Sequence, residues 1–223
     1  MDKRAFYQQP STALGYDRIR FGSASGYFVH QIEVDTLKSM LPREGQIMEL
    51  ACGTARLLKN LRVEGWSVKG IDQSPRMLET SGLGPDVVTV GDVFELPVPD
   101  ASLDAAYSLR FTNHYKDLTL FFHECHRVLK PGGHLVFDSM RWSPLIWNKV
   151  APGGRNFFLS DRGVRLLMDD AGFRIEETRP LFPLSPYILA QLPLWFTRAA
   201  CALGRSVPGR LFPIVIWHAR RTR

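Results

Sequence analysis

Between residues 46 and 138 the apolar positions switch repeatedly from a two-residue period to a helical one, and that alternation leaves the chain few architectures. Residues 46–51 read as a buried strand, and Leu57, Leu58, Leu61 and Val63 mark a helix behind it. Residues 68–72 form a second strand, 75–81 a short helix, and 87–90 and 103–109 the third and fourth strands. The clearest helix covers 117–129. Leu118, Phe121, Phe122, Cys125, Val128 and Leu129 share one of its faces, Asp117 is placed to cap its start, and Pro131-Gly132-Gly133 stops it. A fifth strand covers 134–138, an amphipathic helix 161–171, and two last strands 173–178 and 214–218. Strands that alternate with helices pair in parallel through right-handed crossovers. The final pair, with a long segment between its members, suits an antiparallel edge. Upstream, Phe28, Ile32, Leu37, Met40 and Leu41 recur at helical spacing over 27–41, whereas residues 1–24 show little periodicity and read as a loop or loose helix.

With 223 residues, 45% hydrophobic and 22% charged, the chain has the makings of one soluble domain. The start, Met1-Asp2-Lys3-Arg4, is polar and lacks the apolar segment of a secretory signal. Cys52, Cys125 and Cys201 are odd in number and far apart, so they give neither a disulfide framework nor a zinc spacing; a reducing cytosol and no metal are expected. Residues 187–203 are apolar but broken by Gln191, Pro193 and Arg198, a poor transmembrane span that can still lie on a membrane surface. The net charge of +6 fits nucleic acid, anionic lipid, an acidic substrate or simply a basic surface. Arg220, Arg221 and Arg223 contribute to it from a tail expected to fray.

A doubly wound sheet takes its ligand beyond the carboxyl ends of its strands. After the first strand, Ala51-Cys52-Gly53-Thr54-Ala55 is a small-residue loop that lets backbone N–H groups approach a ligand, with a helix N-terminus behind it. Glu49 either binds an ammonium or orients this loop. After the second strand, 23 residues beyond Glu49, Asp72 can accept both hydroxyls of a ribose; the plainer role is a cap before Ser74-Pro75. After the third, Gly91-Asp92-Val93 offers a carboxylate to an adenine amine and an apolar side chain to its ring, or is a turn. A dinucleotide enzyme needs a G-x-G-x-x-G turn for its pyrophosphate. Ala51, Gly53 and Arg56 stand in those places and suit an amino-acid carboxylate better.

Four stretches, in order, carry a resemblance to class I S-adenosylmethionine (SAM)-dependent methyltransferases, in the broad type 11 branch that includes the ubiquinone and menaquinone enzymes. They are Glu49-Leu50-Ala51-Cys52-Gly53-Thr54-Ala55; Gly70-Ile71-Asp72-Gln73-Ser74-Pro75-Arg76-Met77-Leu78; Gly91-Asp92-Val93-Phe94-Glu95-Leu96-Pro97 with Ser102-Leu103-Asp104; and Glu124-Cys125-His126-Arg127-Val128-Leu129-Lys130-Pro131-Gly132-Gly133-His134-Leu135. The resemblance covers roughly residues 45–140. It implies an α/β fold with a Rossmann-like, doubly wound seven-stranded sheet, mostly parallel with an antiparallel last strand. It also implies SAM as cofactor and S-adenosylhomocysteine (SAH) as product. The residues implied to hold the cofactor are Tyr16, Glu49, Ala51, Cys52, Gly53, Asp72, Gln73, Met77, Gly91, Asp92, Val93 and Leu109, and the N-terminal segment with Tyr7, Tyr16 and Phe21 is implied to cover it. The chain departs from the pattern at Ala51 and Ala55, where glycine is usual; each alanine adds a methyl and resists a positive φ. The whole chain is read as one domain, with 1–44 as N-terminal cap helices, 45–140 as the SAM-binding core and 141–223 as a C-terminal half carrying acceptor-site insertions.

The acceptor site is expected after the fourth strand, at Arg110-Phe111-Thr112-Asn113-His114-Tyr115. His114 is the first candidate for a general base, against capping or packing, and His30 the second. Arg110, Phe111 and Asn113, with Trp142 and Trp147 in an insertion at 140–147 and Trp195 in another at 186–203, form the expected wall for the acceptor. Segment 186–203 alternatively packs on the sheet or on a second subunit. Such a wall suits an apolar or aromatic molecule, natural-product, quinone or lipid-like, methylated on oxygen or carbon. His123-Glu124-Cys125-His126 spaces its histidines three apart and is not a zinc-protease motif. Two other readings stay open: a nucleic-acid methyltransferase, which the scattered positive charges disfavour, and a non-catalytic partner subunit with a SAM fold. A monomer or homodimer in the cytoplasm, with peripheral membrane contact as an option, completes the expectation.

Overall fold

The computed structural model describes residues 3–143, 150–151, 154–204 and 209–222. Its centre is a sheet built from β1 (Ile47–Leu50), β2 (Val68–Asp72), β3 (Val88–Val90), β4 (Leu103–Ser108), β5 (Leu129–Met140), β6 (Phe173–Phe182) and β7 (Ile214–Arg221). The spatial order is β3-β2-β1-β4-β5-β7-β6. The first five strands pair in parallel; β7 slots antiparallel between β5 and β6. The order reverses between β1 and β4, where Glu49 sits in register with Tyr107, and this crevice is where a doubly wound sheet takes its ligand.

Helices cover both faces, so the central strands are apolar on both sides and β1 is buried throughout. On one face α6 (Thr119–Val128) lays Phe121, Phe122 and Cys125 on Leu135, Phe137 and Trp217, with Val164 and Met168 of α7 (Asp161–Asp170) beside them. The Trp217 indole N–H, buried in this layer, donates to Ser139 Oγ at 2.8 Å, so its polar atom stays satisfied. On the other face α3 (Ala24–Met40) and α4 (Arg56–Val63) pack Val34, Leu37, Leu58 and Leu61 against Val68, Tyr107 and Ile216. Burying one such leucine contributes about 1.5–3 kcal/mol, and removing it costs more because a cavity remains.

Of the two readings of the N-terminal segment, the helical one holds, in α1 (Lys3–Tyr7) and α2 (Pro10–Phe21). The buried positions of α2 are the small residues Ala13 and Gly15, so no apolar stripe announces the helix. Other expectations are corrected: β5 starts at Leu129, directly after α6, so Pro131-Gly132-Gly133 lies within the strand, where the pairing with β4 is irregular, rather than stopping the helix. Arg220 and Arg221 do not fray; both lie in β7, paired to β5 and β6. Asp117 is not the cap of α6, since Leu118 occupies that place, although Asp117 Oδ1 accepts the Thr119 N–H at 2.9 Å. Segment 186–203 folds as α8 (Pro186–Leu189) and α9 (Leu194–Gly204) against α3, tied by Ser23 Oγ to the Ala190 carbonyl and Ser25 Oγ to the Leu192 carbonyl, each at 2.6 Å.

Candidate functional site

The loop after β1 forms the floor of a cavity at the switch point. Three of its residues have left-handed backbones: Ala51 at φ 54°, Gly53 at 58° and Ala55 at 55°. The alanines thus adopt the conformation that their methyl resists, at roughly 1–2 kcal/mol each. The turn lets the Cys52 amide reach the Ile71 carbonyl at 3.0 Å and starts α4 at once. It also packs onto β2 where Gly70 has no side chain; a Cβ there would lie 2.8 Å from Cys52 Sγ and from Leu58 Cδ1.

Two buried carboxylates hold this loop. Glu49 Oε2 accepts the Leu58 N–H at 3.0 Å and the Tyr107 hydroxyl at 3.1 Å, joining β1, α4 and β4. Burial pushes its carboxyl up to about 8, against the pull of those donors. Asp72, at the end of β2, accepts the Gly53 N–H through Oδ2 and the Ser74 N–H through Oδ1, both at 2.8 Å. Burial raises its pKa too, and the two backbone donors oppose the rise. Asp92 turns its own loop, with Oδ1 accepting the Phe94 N–H at 3.0 Å.

The cavity is lined by all twelve residues that the sequence assigned to a cofactor: Tyr16, Glu49, Ala51, Cys52, Gly53, Asp72, Gln73, Met77, Gly91, Asp92, Val93 and Leu109. Arg110, Phe111 and His114 from the segment after β4 line it as well. Of the N-terminal aromatics expected over the cofactor, Tyr7 and Tyr16 line the cavity and Phe21 does not; the Tyr7 ring stacks on His114 with centroids 5.5 Å apart and planes 19° from parallel, and Arg56 joins the wall without having been assigned to it. Two hydrogen bonds tie the N-terminal helices across the mouth: Ser74 Oγ to the Tyr7 carbonyl at 2.9 Å and Thr54 Oγ1 to Asp17 Oδ1 at 2.8 Å.

Other expected residues lie elsewhere. His30 is buried in α3 against Arg56 and the Phe21 ring and does not line the cavity. Asn113 is outside the lining and donates to Asn156 Oδ1 at 2.8 Å. Trp142 and Trp195 are 66% and 72% exposed, on the surface rather than in the cavity wall. Trp147 lies outside the described residues. Among the described residues no set of three His, Cys, Asp or Glu side chains is grouped to hold a metal, and no helix is long and apolar enough to cross a membrane.

Small-residue loop, ribose-competent carboxylate and adenine-competent carboxylate now stand in one crevice, in the order of their strands. Residues 48–137 match the family model described as a methyltransferase domain. This segment is a SAM-dependent methyltransferase domain. The donor set of the crevice fits that cofactor, since it offers carboxylates for hydroxyl and amine donors and apolar side chains for a purine, with no pyrophosphate turn. The chain is 34% identical over 169 residues to a malonyl-[acyl-carrier protein] O-methyltransferase of Hahella chejuensis, covering 68% of this chain and 60% of that protein. It is 33% identical over 115 residues to the 2-methyl-6-phytyl-1,4-hydroquinone methyltransferase of a Synechocystis strain, covering 49% and 36%. The fold is shared with the geranyl diphosphate C-methyltransferase of Streptomyces coelicolor, solved with SAH, at a TM-score of 0.66 and 18% identity over 88% of this chain and 80% of that one. Alignments to curated relatives span between 31% and 60% of those proteins' lengths.

Proposed function

We propose that the chain transfers a methyl group from SAM to a small molecule. The observation that carries this reading is the convergence on one cavity of the loop after β1, Asp72, Asp92 and the Arg110–His114 segment. Asp72 would accept from the ribose hydroxyls, Asp92 from the adenine amine, and Met77, Val93 and Leu109 would pack the ring. The amides around Ala51, Cys52 and Gly53 and the start of α4 suit the amino-acid carboxylate. Glu49 faces the place for its ammonium, whose positive charge would favour the ionised carboxylate against the burial that raises its pKa. When bound, SAM supplies a methyl on a cationic sulfur, ready for attack by a nucleophile with SAH as the leaving group. The chain's own part is alignment of the two reactants and exclusion of water, for which Tyr7 and Tyr16 close the mouth.

The relatives that act on an acyl-carrier-protein-linked malonyl group and on a hydroquinone support a small-molecule acceptor. His114 remains the candidate base, with its ring against Tyr7 at the methyl end of the cavity. The test is transfer from methyl-labelled SAM into the small-molecule fraction of a cell extract. Label in that fraction, lost in Asp92→Ala, supports the reading; label recovered on nucleic acid, or no transfer by a protein that binds SAH, contradicts it.

A further inference from the structure

Two arginines of the cavity wall share one carboxylate. Glu33 of α3 is 1% exposed. Its Oε2 accepts Arg56 Nη2 at 2.7 Å, and its Oε1 accepts Arg110 Nε at 3.1 Å together with Arg110 Nη2. The Phe21 ring covers both guanidiniums, 3.6 Å from that of Arg56 and 4.5 Å from that of Arg110. Arg56 is further occupied by His30 Nδ1. Glu33 takes only the Nε and Nη2 of Arg110, whose side chain lines the cavity beside Phe111 and His114.

The backbone of Arg110 is strained to hold it there. Its φ is +65°, left-handed for a residue with a long side chain, and its N–H donates to Asp138 Oδ1 at 2.7 Å. The neighbouring acids offset the positive charge only in part. Asp17 accepts from the neutral Thr54 hydroxyl and its charge acts on Arg56, while Arg20 acts on Glu33; burial lifts Asp138 to about 7, so it is only partly ionised near neutrality. Burial works against the Arg110 charge, yet Glu33 and Tyr16 outweigh it and hold the group charged. The guanidiniums of Arg20, Arg56 and Arg110 against the carboxylates of Glu33 and Asp17 leave one positive charge in this cluster, and a bound sulfonium adds to it. One surplus charge suits a monoanion and is too little for a diphosphate.

We propose that the methyl acceptor carries a carboxylate and that the Arg110 guanidinium binds it, orienting the nucleophilic atom towards the methyl group. This deepens the methyltransferase reading and rests on it. Arg110 is a positioning residue here: its planar fork takes a carboxylate with directed hydrogen bonds, which a lysine reproduces only in part.

The test is calorimetry on the full chain saturated with SAH, using matched acids and amides: decanoate against decanamide, and phenylacetate against phenylacetamide. At least one acid is expected to bind about tenfold or more tightly than its amide. Arg110→Gln erases that preference, Arg110→Lys keeps part of it, and SAH affinity stays within about threefold of wild type. Should Arg110→Gln fail to fold with Glu33 left unpaired, the double variant Glu33→Gln/Arg110→Gln removes both charges and replaces it. Equal binding of every acid and amide, or a preference that survives Arg110→Gln, overturns the proposal. A loss of SAH affinity as large as the loss of acid affinity overturns it as well, and assigns the guanidinium to the carboxylate of the cofactor. Failure of wild type to bind SAH at all would sink the methyltransferase reading itself, a separate result.

Discussion

The carboxylate of Asp72 accepts the backbone N–H of Gly53 at 2.8 Å, so the end of β2 holds the loop that follows β1. Both residues face the same cavity. A residue chosen for its expected contact with a ribose is thus also a brace for the loop expected to meet the rest of the cofactor.

Asp72→Ala removes both roles. SAH affinity is expected to fall about 30-fold or more, since one charged hydrogen bond contributes about 1.5–3 kcal/mol. The thermal midpoint falls with it, because the Gly53 and Ser74 amides lose their acceptor. Asp72→Asn keeps one oxygen and lies between. Calorimetry with a melting curve checks both, and a variant that matches wild type in both measurements contradicts the assignment.

The left-handed alanines give a conformational prediction. Ala51→Gly stays within about 1 kcal/mol of wild type, because the relief of strain offsets the added freedom of the unfolded chain. Ala51→Val places a β-branched residue at φ 54° and costs at least about 2 kcal/mol. Denaturant unfolding of the two variants reads this out; equal stabilities would mean that the loop does not turn through the left-handed region.

Glu49 predicts a pH dependence. Its folded-state pKa, about 8, lies above that of an exposed glutamate because burial disfavours the charge. The folded protein therefore binds the proton more tightly than the unfolded chain. The stability this contributes is fully present below the unfolded value and is lost as pH rises through about 8. Melting midpoints are expected to decline from pH 6 to pH 9, and Glu49→Gln to decline less. A parallel decline in the two proteins would place the titration elsewhere.

The N-terminal helices are fastened to the core by few polar ties. Removing the hydrogen bond from Thr54 to Asp17 by Asp17→Ala is expected to speed amide exchange within Pro10–Phe21 and to leave α6 unaffected. Uniform exchange across both helices would show that α2 opens only with the whole domain.

The sheet was legible in the sequence where both faces are buried. Residues 68–72 match β2 end to end, because Val68, Gly70 and Ile71 had to be apolar or absent to let helices pack. The lining of the cavity was legible as well, since short loops after parallel strands leave few positions free to touch a ligand. Tyr7 was legible only through the family resemblance, since it rides on a helix with no apolar stripe, and Arg56 was read as part of the loop pattern without being assigned to the wall. The positions of Trp142 and Trp195 misled for the opposite reason, since an aromatic side chain in an insertion gives no sign of which side it faces.

The most direct measurement is SAH binding to the wild-type chain by calorimetry, with Asp92→Ala alongside. The account predicts micromolar binding at one site per chain and a loss of at least about tenfold in the variant. A well-folded wild type that takes up no SAH would contradict it and leave a methyltransferase fold serving as a partner protein.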